Sequence, residues 1–456
     1  MVNIHIFRRD LRLGDNTALN EAALRDEDTV PVFIFDPRQV EHNDYKSGNA
    51  VQFMIDSLES LDNTLREEYD SRLHVLWGDA ETVIESLAER DTVSSVSFNA
   101  DYTPFSKGRD EAVKAVCDEH GVDCHVSDDA YLTKPGTIKT NKGTTYKVFS
   151  YFEKKAKKRG MDRPETKELS FTTLEIKTIT LEEAKDRALE SENPDLAVRG
   201  GRRYGEAHLE KAASLSDYEE TREKPSIEGT SKLSAYLKFG VVSPREAYWA
   251  VRDEFGGDHG LISELYWRDF YAHLLDAYPE LLEENMKSKY DSVTWRDDPE
   301  GLKRWKEGRT GFPIVDAAMR QLTETGWMHN RCRMITASFL CKDLRVHWKE
   351  GERFFAKHLV DYDPASNNGG WQWAASTGAD SQPYFRIFSP WRQQEDYDPD
   401  CEYIKEYVPE LRGVDPDVIH GLEDSDVPDG VDYPEKLLDH REAADKTKEV
   451  FKEAAQ

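Results

Sequence analysis

Two hydrophobic periodicities follow one another along this 456-residue sequence, and they restrict it to a fold with two unlike parts. Over the first 130 residues, short apolar runs rich in β-branched side chains alternate with longer amphipathic stretches. Alternating strands and helices are typical of βαβ units. We therefore predict an α/β domain with a doubly wound parallel sheet and helices on both faces. Its predicted strands lie at 2–7, 30–35, 71–77 and 93–98, and its predicted helices at 49–68, 80–89 and 107–120.

Helical periodicity alone characterises the rest of the sequence from residue 199 onward. Residues 131–198, which precede it, are rich in Lys, Glu and Thr and show little periodicity. The sequence therefore predicts an α/β domain over 1–130, an interdomain linker over 131–198 and an all-α domain over 199–456. Helices of the last domain are predicted at 262–275, 313–325, 334–344, 350–359 and 435–455.

Acidic residues outnumber basic residues by 89 to 61, which gives a formal net charge of −28. Such an excess ordinarily disfavours nucleic acid as a partner, because phosphate binding needs a basic surface. Adaptation to a salt-rich, halophilic cytoplasm explains the same excess, since carboxylates keep a surface soluble whatever the function. The net charge therefore indicates habitat and leaves the ligand open.

Several classes of protein are excluded by what the sequence lacks. No apolar run approaches the roughly 20 residues that span a bilayer, and the N-terminus has no secretory signal pattern. Five cysteines are too few for a disulfide framework in a chain of this length. Neither a Gly-x-Gly-x-x-Gly loop after the first strand nor a Walker A motif is present. We expect a water-soluble, cytoplasmic protein that uses no glycine loop for a nucleotide and no membrane.

Four side chains that could bind a metal lie close together in the sequence: Cys117, His120, Cys124 and His125. They lie where a helix is predicted to end and a strand to begin, an arrangement that spreads the four side chains apart. An iron–sulfur cluster needs four thiolates, and the helical domain has only three cysteines. We predict no metal.

Polar and aromatic residues are concentrated in three segments of the helical domain. Glu264, Trp267 and Arg268 share one face of a predicted helix, while segments 327–334 and 361–373 combine charges, amides and indoles. Segment 228–235 groups hydroxyl side chains before a helix, a weak phosphate-binding signal that capping also explains. Burying so many polar groups is costly without a ligand. Together the segments predict a polar pocket with aromatic walls.

Five segments, in order along the chain, resemble the DNA photolyase/cryptochrome family. Among them are Trp-Met-His-Asn-Arg-Cys-Arg-Met at 327–334 and Asn-Asn-Gly-Gly-Trp-Gln-Trp at 367–373, and the others lie at 7–16, 228–234 and 264–271. The resemblance extends from residue 3 to about residue 440 and is closest to the class I photolyases that act on cyclobutane pyrimidine dimers. It implies blue-light-driven repair of UV-damaged DNA by electron transfer from photoexcited, reduced, anionic FAD to a flipped-out dimer.

The resemblance also implies site residues. For FAD binding these are Tyr218, Thr230, Ser231, Lys232, Leu233, Ser234, Arg268, Asn330, Arg333, Asp361, Asp363 and Asn367. The family more often has Arg where Lys232 stands. Arg333 and Asp361 resemble the ion pair against the flavin ring, and Asn367 the residue that faces flavin N5.

For the lesion, Glu264 resembles the carboxylate that binds the dimer, and Trp267 and Trp373 resemble the walls of a pocket completed by Asn330 and Met334. Two indoles offset the cost of base flipping, because stacking contributes roughly 1–3 kcal/mol per base. Trp371, Trp348 and Trp295 resemble the family's electron relay, whereas Trp305 is predicted to be core. DNA contacts around the pocket are implied for Arg222, Arg268, Arg331, Arg386 and Gln393.

An antenna chromophore is the least determined cofactor. Folate-binding members resemble Asn-Glu where this chain has Phe105-Ser106, whereas residues 99–105, Arg109 and Asp110 look more like a deazaflavin site. We expect 8-hydroxy-5-deazaflavin, with methenyltetrahydrofolate or an empty site as the alternatives.

Two other family functions were considered. Signalling cryptochromes usually carry a long C-terminal tail, and enzymes for the (6-4) photoproduct resemble a His-His pair where this chain has Asn330 and Met334. A simple flavin redox enzyme would need a nicotinamide site, and none is resembled. A monomer without an obligate protein partner is expected.

Overall fold

The computed structural model describes residues 1–41 and 43–456. Five parallel strands form one sheet in the order β3-β2-β1-β4-β5, with Ile4 beside Val30 and Val96. The strand order reverses between β1 and β4, and ligands of such sheets bind beyond the carboxyl ends at that point. Residues that follow β1 and β4 are therefore placed at a ligand crevice. The strands are β1 (Val2–Phe7), β2 (Asp28–Phe35), β3 (His74–Trp77), β4 (Val93–Asn99) and β5 (Asp123–Ser127).

Helices cover both faces of the sheet, as the sequence predicts. The helix that precedes β5 has Thr103 as its N-cap and Pro104 at its first position, and it ends at Gly121 in the left-handed conformation. At the opposite edge of the sheet, the third predicted strand is shorter than expected and begins at His74. The helices of this domain are α1 (Thr17–Leu24), α2 (Pro37–Val40), α3 (Gly48–Tyr69), α4 (Ala80–Ala88) and α5 (Pro104–His120).

Segment 131–198, expected to be a surface connection, contains helices α6 (Phe149–Ala156) and α7 (Leu181–Ala188) and a 3₁₀ turn at Lys157–Arg159. Each α-helix has only eight residues, too few for a clear periodicity among so many lysines and glutamates. Phe152 is fully buried and packs near Phe270 of the helical domain. The segment therefore contributes to the core instead of only joining two domains.

Helices make up nearly all of the regular structure after residue 198. The helix predicted at 313–325 has those bounds, and Gly326 ends it in the left-handed conformation. Helices there are α8 (Arg202–Ala212), α9 (Tyr218–Thr221), α10 (Ser234–Lys238), α11 (Pro244–Phe255), α12 (Gly260–Ala277), α13 (Pro299–Lys306), α14 (Pro313–Thr325), α15 (Asn330–Ser338), α16 (Trp348–His358), α17 (Pro364–Ala375), α18 (Pro390–Tyr397), α19 (Glu402–Tyr407), α20 (Pro416–His420) and α21 (His440–Ala454). Short 3₁₀ turns lie at Pro279–Leu282, Ser288–Tyr290, Pro409–Leu411 and Gly421–Glu423.

A π-helical turn at Phe339–Asp343 interrupts the helix predicted at 334–344. It buries Lys342, whose Nζ donates to the Ala375 carbonyl at 3.0 Å and to Ser376 Oγ at 2.9 Å. Burial lowers the pKa of Lys342 to about 7. Asp343 pairs with His440 at 2.5 Å, and His440 is where the last helix begins, five residues later than predicted. The turn therefore anchors α21 to the domain.

The boundary between the two domains is built from buried charges. Asp129 pairs with Arg12 at 2.6 Å and with Arg245 at 2.7 Å, and Arg245 also pairs with Asp15 at 2.9 Å. Gly240 adopts a positive φ of 62°, and a Cβ there would collide with the carbonyl of Arg9. Only glycine allows this close approach of the backbones.

The described part of the chain contains no helix long and apolar enough to cross a membrane. Within the same residues, no group of three His, Cys, Asp or Glu side chains is arranged to hold a metal ion.

Candidate functional site

An ion pair between α15 and the loop before α17 forms the centre of the predicted flavin site. Arg333 Nη2 donates to Asp361 Oδ2 at 2.8 Å. The other carboxylate oxygen, Oδ1, is buried and has no hydrogen-bond partner among the described residues. His329 is the N-cap residue of α15, and its Nε2 is likewise buried with no hydrogen-bond partner among the described residues. Buried polar atoms are normally satisfied, so these two indicate a missing ligand.

Asn367, predicted to face flavin N5, is held by the neighbouring helix α16. Its Nδ2 donates to the backbone carbonyl of Glu352 at 3.0 Å. The Glu352 carboxylate is itself buried and accepts from Asn368 Nδ2 at 3.2 Å. Because the Asn367 Nδ2 group is engaged, its Oδ1 is the atom left to accept a hydrogen bond from a ligand N–H group.

Asp363, predicted to contact the flavin, is held by charges from the α/β domain. It caps α17 and pairs with Arg9 at 2.8 Å, while Arg9 also pairs with Asp101 at 2.9 Å. Burial alone would raise the pKa of Asp363, but the charges of Arg9 and Lys238 outweigh it and lower the pKa to about 2. Arg9 therefore connects the end of β1 to the predicted flavin site.

Arg268 points into the same domain boundary. Its guanidinium donates to the carbonyls of Ala130 at 2.5 Å and Leu237 at 2.9 Å, and lies 4.4 Å from the ring centroid of Tyr131. These contacts engage the guanidinium with groups inside the protein, and the predicted contacts of Arg268 with FAD and DNA stay predictions.

The segment predicted to bind the FAD pyrophosphate precedes α10. Lys232 has a positive φ of 51°, which is costly for a side chain other than glycine and marks a functional constraint. Its Nζ pairs with Glu228 at 2.9 Å and lies 5.0 Å from the ring of Trp327. The Ser231 carbonyl accepts from His208 Nδ1 at 2.7 Å, and its hydroxyl accepts from the N–H of buried Leu233 at 3.4 Å. The hydroxyls of Thr230 and Ser234 form no hydrogen bond among the described residues, and Tyr218 packs near His259.

These residues fit FAD. The unsatisfied Asp361 Oδ1 matches a ring N–H, Arg333 supplies a cation beside it, and the hydroxyl segment with Lys232 suits a pyrophosphate. The described residues thus offer donors and acceptors to both ends of the molecule.

The cations predicted to contact DNA are paired with acids. Arg222 lies 2.9 Å from Glu264 and 3.2 Å from Glu223, and Arg331 Nε donates to Glu223 at 2.6 Å. Burial raises the pKa of Glu264, while Arg222 opposes the shift. Glu223 was missed in the sequence because nothing local marks it as the partner of Arg331, 108 positions away. Gln393 lies 3.5 Å from Arg331, whereas Arg386 is exposed and forms no ion pair within the described residues.

The two predicted aromatic walls come from α12 and α17. Trp267 stacks on Phe149 with ring centroids 3.7 Å apart and an angle of 8°. The next turn of α12 brings Tyr271 against Gly369, where any Cβ would collide with the tyrosine ring. Trp373, one turn beyond Gly369, has Phe388 6.4 Å away. Phe149 was also missed, because it lies in the segment interpreted as a linker.

Asn330 and Met334 lie one turn apart on α15, so they share a face of that helix. Asn330 is exposed and Met334 is half-buried. Both side chains are therefore accessible to a ligand that binds in the pocket.

The predicted electron relay is anchored on α16. Trp371 is buried against Gly351, where a Cβ would collide with the indole. Trp348, one turn earlier on α16, is fully buried and donates from Nε1 to Asn285 Oδ1 at 3.0 Å. Trp295 is half-buried. Trp305 is fully buried, 6.0 Å from Trp371, and donates from Nε1 to the Thr336 carbonyl.

The crevice between β1 and β4 carries the residues predicted for an antenna. Phe105 is partly exposed, and the guanidinium groups of Arg38 and Arg109 lie 5.3 and 6.0 Å from its ring centroid. Arg8 pairs with Asp110, and its Nη2 is buried without a partner among the described residues. This crevice therefore also has an unsatisfied donor.

Comparison with known proteins identifies the family of the chain. Residues 3–170 match the family model of DNA photolyase, and residues 261–453 match the FAD-binding domain of DNA photolyase. The chain is 38% identical to the deoxyribodipyrimidine photo-lyase of Halobacterium salinarum, with 98% of each chain covered. This chain belongs to the DNA photolyase family.

Other relatives extend the agreement to the fold. The deoxyribodipyrimidine photo-lyase of Escherichia coli is 36% identical to this family member, with 98% of each chain covered. The crystal structure of an archaeal photolyase from Sulfolobus tokodaii, described with two FAD molecules, has a TM-score of 0.90 and 41% identity. It covers 99% of this chain, and this chain covers all of it. The predicted two-part fold, an α/β domain followed by a helical domain, is confirmed.

Proposed function

We propose that this protein repairs cyclobutane pyrimidine dimers in DNA as a deoxyribodipyrimidine photo-lyase. The observation that carries the proposal is the buried, unsatisfied Oδ1 of Asp361 beside Arg333 of α15. Helix α15 packs against α17, and α17 packs against α12, so the helices that carry the two predicted walls adjoin this pair. The relatives named above, which are photo-lyases over their full length, support it. Monomeric action in the cytoplasm without an obligate partner remains part of the proposal.

The residues of this chain prepare the reaction by position. Asp361 and Asn367 hold acceptor atoms toward the flavin ring, while Trp267 and Trp373 offer faces to a flipped-out pyrimidine dimer. Bound FAD, when reduced and excited by light, supplies the electron that splits the dimer. Glu264 lies at the pocket rim as the partner of Arg222 at 2.9 Å; burial raises the pKa of this carboxyl, and the Arg222 charge opposes the shift.

The decisive test is light-dependent reversal of thymine dimers in an oligonucleotide by the purified, chemically reduced protein. Glu264→Gln keeps the size of the side chain but removes its charge, so we expect repair per absorbed photon to fall about fivefold while affinity for the lesion changes less. Arg222 loses its partner in this variant, which limits any loss of affinity. Reversal in the dark, or equal repair yields in both proteins, would refute the assignment.

A basic segment missed in the sequence lies beside the pocket. Lys154, Lys155, Lys158 and Arg159 are exposed at the end of α6, the helix that begins with Phe149. At 1.5 Å per residue, Lys158 lies about 14 Å from Phe149 and thus from the Trp267 wall. Because Arg222 and Arg331 are already paired with acids, we assign phosphate contacts mainly to this basic segment.

We therefore expect a shallow dependence of DNA affinity on salt that this basic segment determines. Changing Lys154, Lys155 and Lys158 to Gln should lower the slope of log affinity against log salt by about three and weaken damaged and intact DNA alike. The matched control changes Lys446 and Lys448 of α21, which pair with acids within their own helix. A slope unchanged in the triple variant would contradict this interface.

A second chromophore is proposed for the crevice beside Phe105. Its cations and the unsatisfied Arg8 Nη2 suit a planar, electron-rich ligand. We favour 8-hydroxy-5-deazaflavin, with methenyltetrahydrofolate or an empty crevice as alternatives, and the Sulfolobus structure with two FAD molecules adds FAD. Mass spectrometry of chromophores released from protein made in a deazaflavin-producing host decides among them. Phe105→Ala should lose only this chromophore, and loss of both chromophores would contradict a separate site.

A further inference from the structure

We propose that His347 is a positioning residue of the electron relay: its imidazole bridges Trp348 and Trp295, and a positive charge on it slows electron transfer between them. The inference rests on the proposed function of the three indoles as a relay. The family resemblance implies no role for His347.

The imidazole lies between the two indoles. Its centroid is 5.4 Å from that of Trp348, with an angle of 29°, and 5.2 Å from that of Trp295, with an angle of 66°. On its other side Trp295 meets Phe451 of α21, 6.0 Å away. His347 is therefore the aromatic side chain that touches both the buried indole and the half-buried one.

The relay moves one electron in three successive transfers. Trp371 gives one electron to the photoexcited flavin, Trp348 then reduces Trp371, and Trp295 reduces Trp348. Trp295 is left oxidised by one electron until an electron donor in solution, such as ferrocyanide, reduces it. No covalent bond in the protein forms or breaks, and each indole is restored.

The hydrogen bonding of His347 favours its neutral form. Nδ1 accepts from the backbone N–H of Lys349 at 3.2 Å and so caps α16, which leaves the single proton of the neutral ring on Nε2. Burial lowers the pKa of His347, Lys349 adds to the shift and Glu350 opposes it. The other charged groups nearby are Arg345, two residues earlier, and Arg296, which follows Trp295 and donates from its backbone N–H to the Arg345 carbonyl.

Acid therefore changes the relay in a defined direction. The ring is neutral at pH 7 and becomes a cation only below its lowered pKa, which lies under the ordinary value of about 6.5. A cation beside both indoles repels the positive charge that each must carry in turn. Transfer between Trp348 and Trp295 then slows, and recombination with the flavin competes better.

Two substitutions separate the ring from the cap. His347→Asn keeps a side-chain acceptor for the Lys349 N–H but removes the ring, whereas His347→Phe keeps a ring that cannot be charged. The measurement is the initial rate of flavin photoreduction from pH 8 downward, with ferrocyanide as an electron donor that does not titrate near neutral pH. We expect the wild-type rate to fall about tenfold as His347 becomes protonated, the Phe variant to vary little, and the Asn variant to be slow throughout.

A wild-type rate in His347→Asn, or a wild-type pH profile in His347→Phe, would overturn the proposal. An independent readout is the pKa of His347 from the NMR shift of its Cε1–H in protein kept in darkness. It should coincide with the midpoint of the photoreduction profile, and a difference above about one unit would contradict the role. If Trp371→Phe photoreduces normally, the relay itself fails, which is a different outcome.

Discussion

Replacing Trp371 with phenylalanine should abolish light-driven reduction of the bound flavin and leave repair by chemically reduced protein intact. The indole fits against Gly351, and a phenyl ring occupies part of the same space without a clash. The substitution therefore removes the readily oxidised group and leaves the fold of α16 and α17 in place. We expect the rate of photoreduction to fall about a hundredfold or more.

The first measurement is the bleaching of flavin absorbance at about 450 nm under blue light with a thiol. The second is dimer repair after the flavin has been reduced with dithionite in the dark. Trp305→Phe is the matched control, because this buried indole is 6.0 Å from Trp371 but ends in the core. Normal photoreduction in the Trp371 variant would remove this residue from the relay. Loss of repair in the chemically reduced variant would mean that Trp371 also shapes the flavin site.

Removal of the Asp129 carboxylate should have the largest effect on stability. Asp129→Ala leaves the guanidinium groups of Arg12 and Arg245 without their buried partner, and breaking such a pair costs about 3–5 kcal/mol of unfolding free energy. Urea unfolding of the purified protein measures the loss. Asp123→Ala, at an exposed carboxylate at the start of β5, should change stability by less than about 0.5 kcal/mol.

The stabilisation by Asp129 should also depend on pH with a known sign. Burial alone would raise the pKa of this carboxyl, but Arg12 and Arg245 outweigh it and lower the pKa to about 2. A lowered folded-state pKa stabilises above the unfolded value of about 3.9 and is lost as pH falls toward 2. The stability difference between wild type and Asp129→Ala should therefore narrow across that range. A constant difference, or one below about 1 kcal/mol at pH 7, would contradict the role of this ion pair.

Elements with strong local signals were predictable from the sequence. Helix α14 has a proline at its first position, a clear apolar stripe and Gly326 in the left-handed conformation after its end. The strands of the sheet follow from β-branched runs, and their parallel order follows from the helices between them. By contrast, α6 and α7 were missed because each is held by packing of one or two side chains, as at Phe152.

The identities of the site residues came from motifs, and these motifs do not reveal their partners. Arg331 lies in a recognisable segment, but the carboxylate of Glu223 that neutralises it is 108 positions away and has no motif of its own. Phe149 meets Trp267 through the same kind of long-range contact. Arg9 lies in the opening segment 7–16 and has no predicted role of its own, although it pairs with Asp363 across 354 positions. Contacts of this kind depend on tertiary packing, which local patterns do not encode.

The backbone approach at Gly240 concerns more than stability. With Arg9 held against this glycine on one side and against Asp363 on the other, the crevice of the sheet and the flavin pocket share a common wall. If chromophores occupy both proposed places, these two contacts of Arg9 would hold them at one spacing and orientation. The efficiency with which excitation passes between two dyes depends on both quantities. The alignment of two such chromophores would then depend on the folded backbone and would need no closing motion when DNA binds.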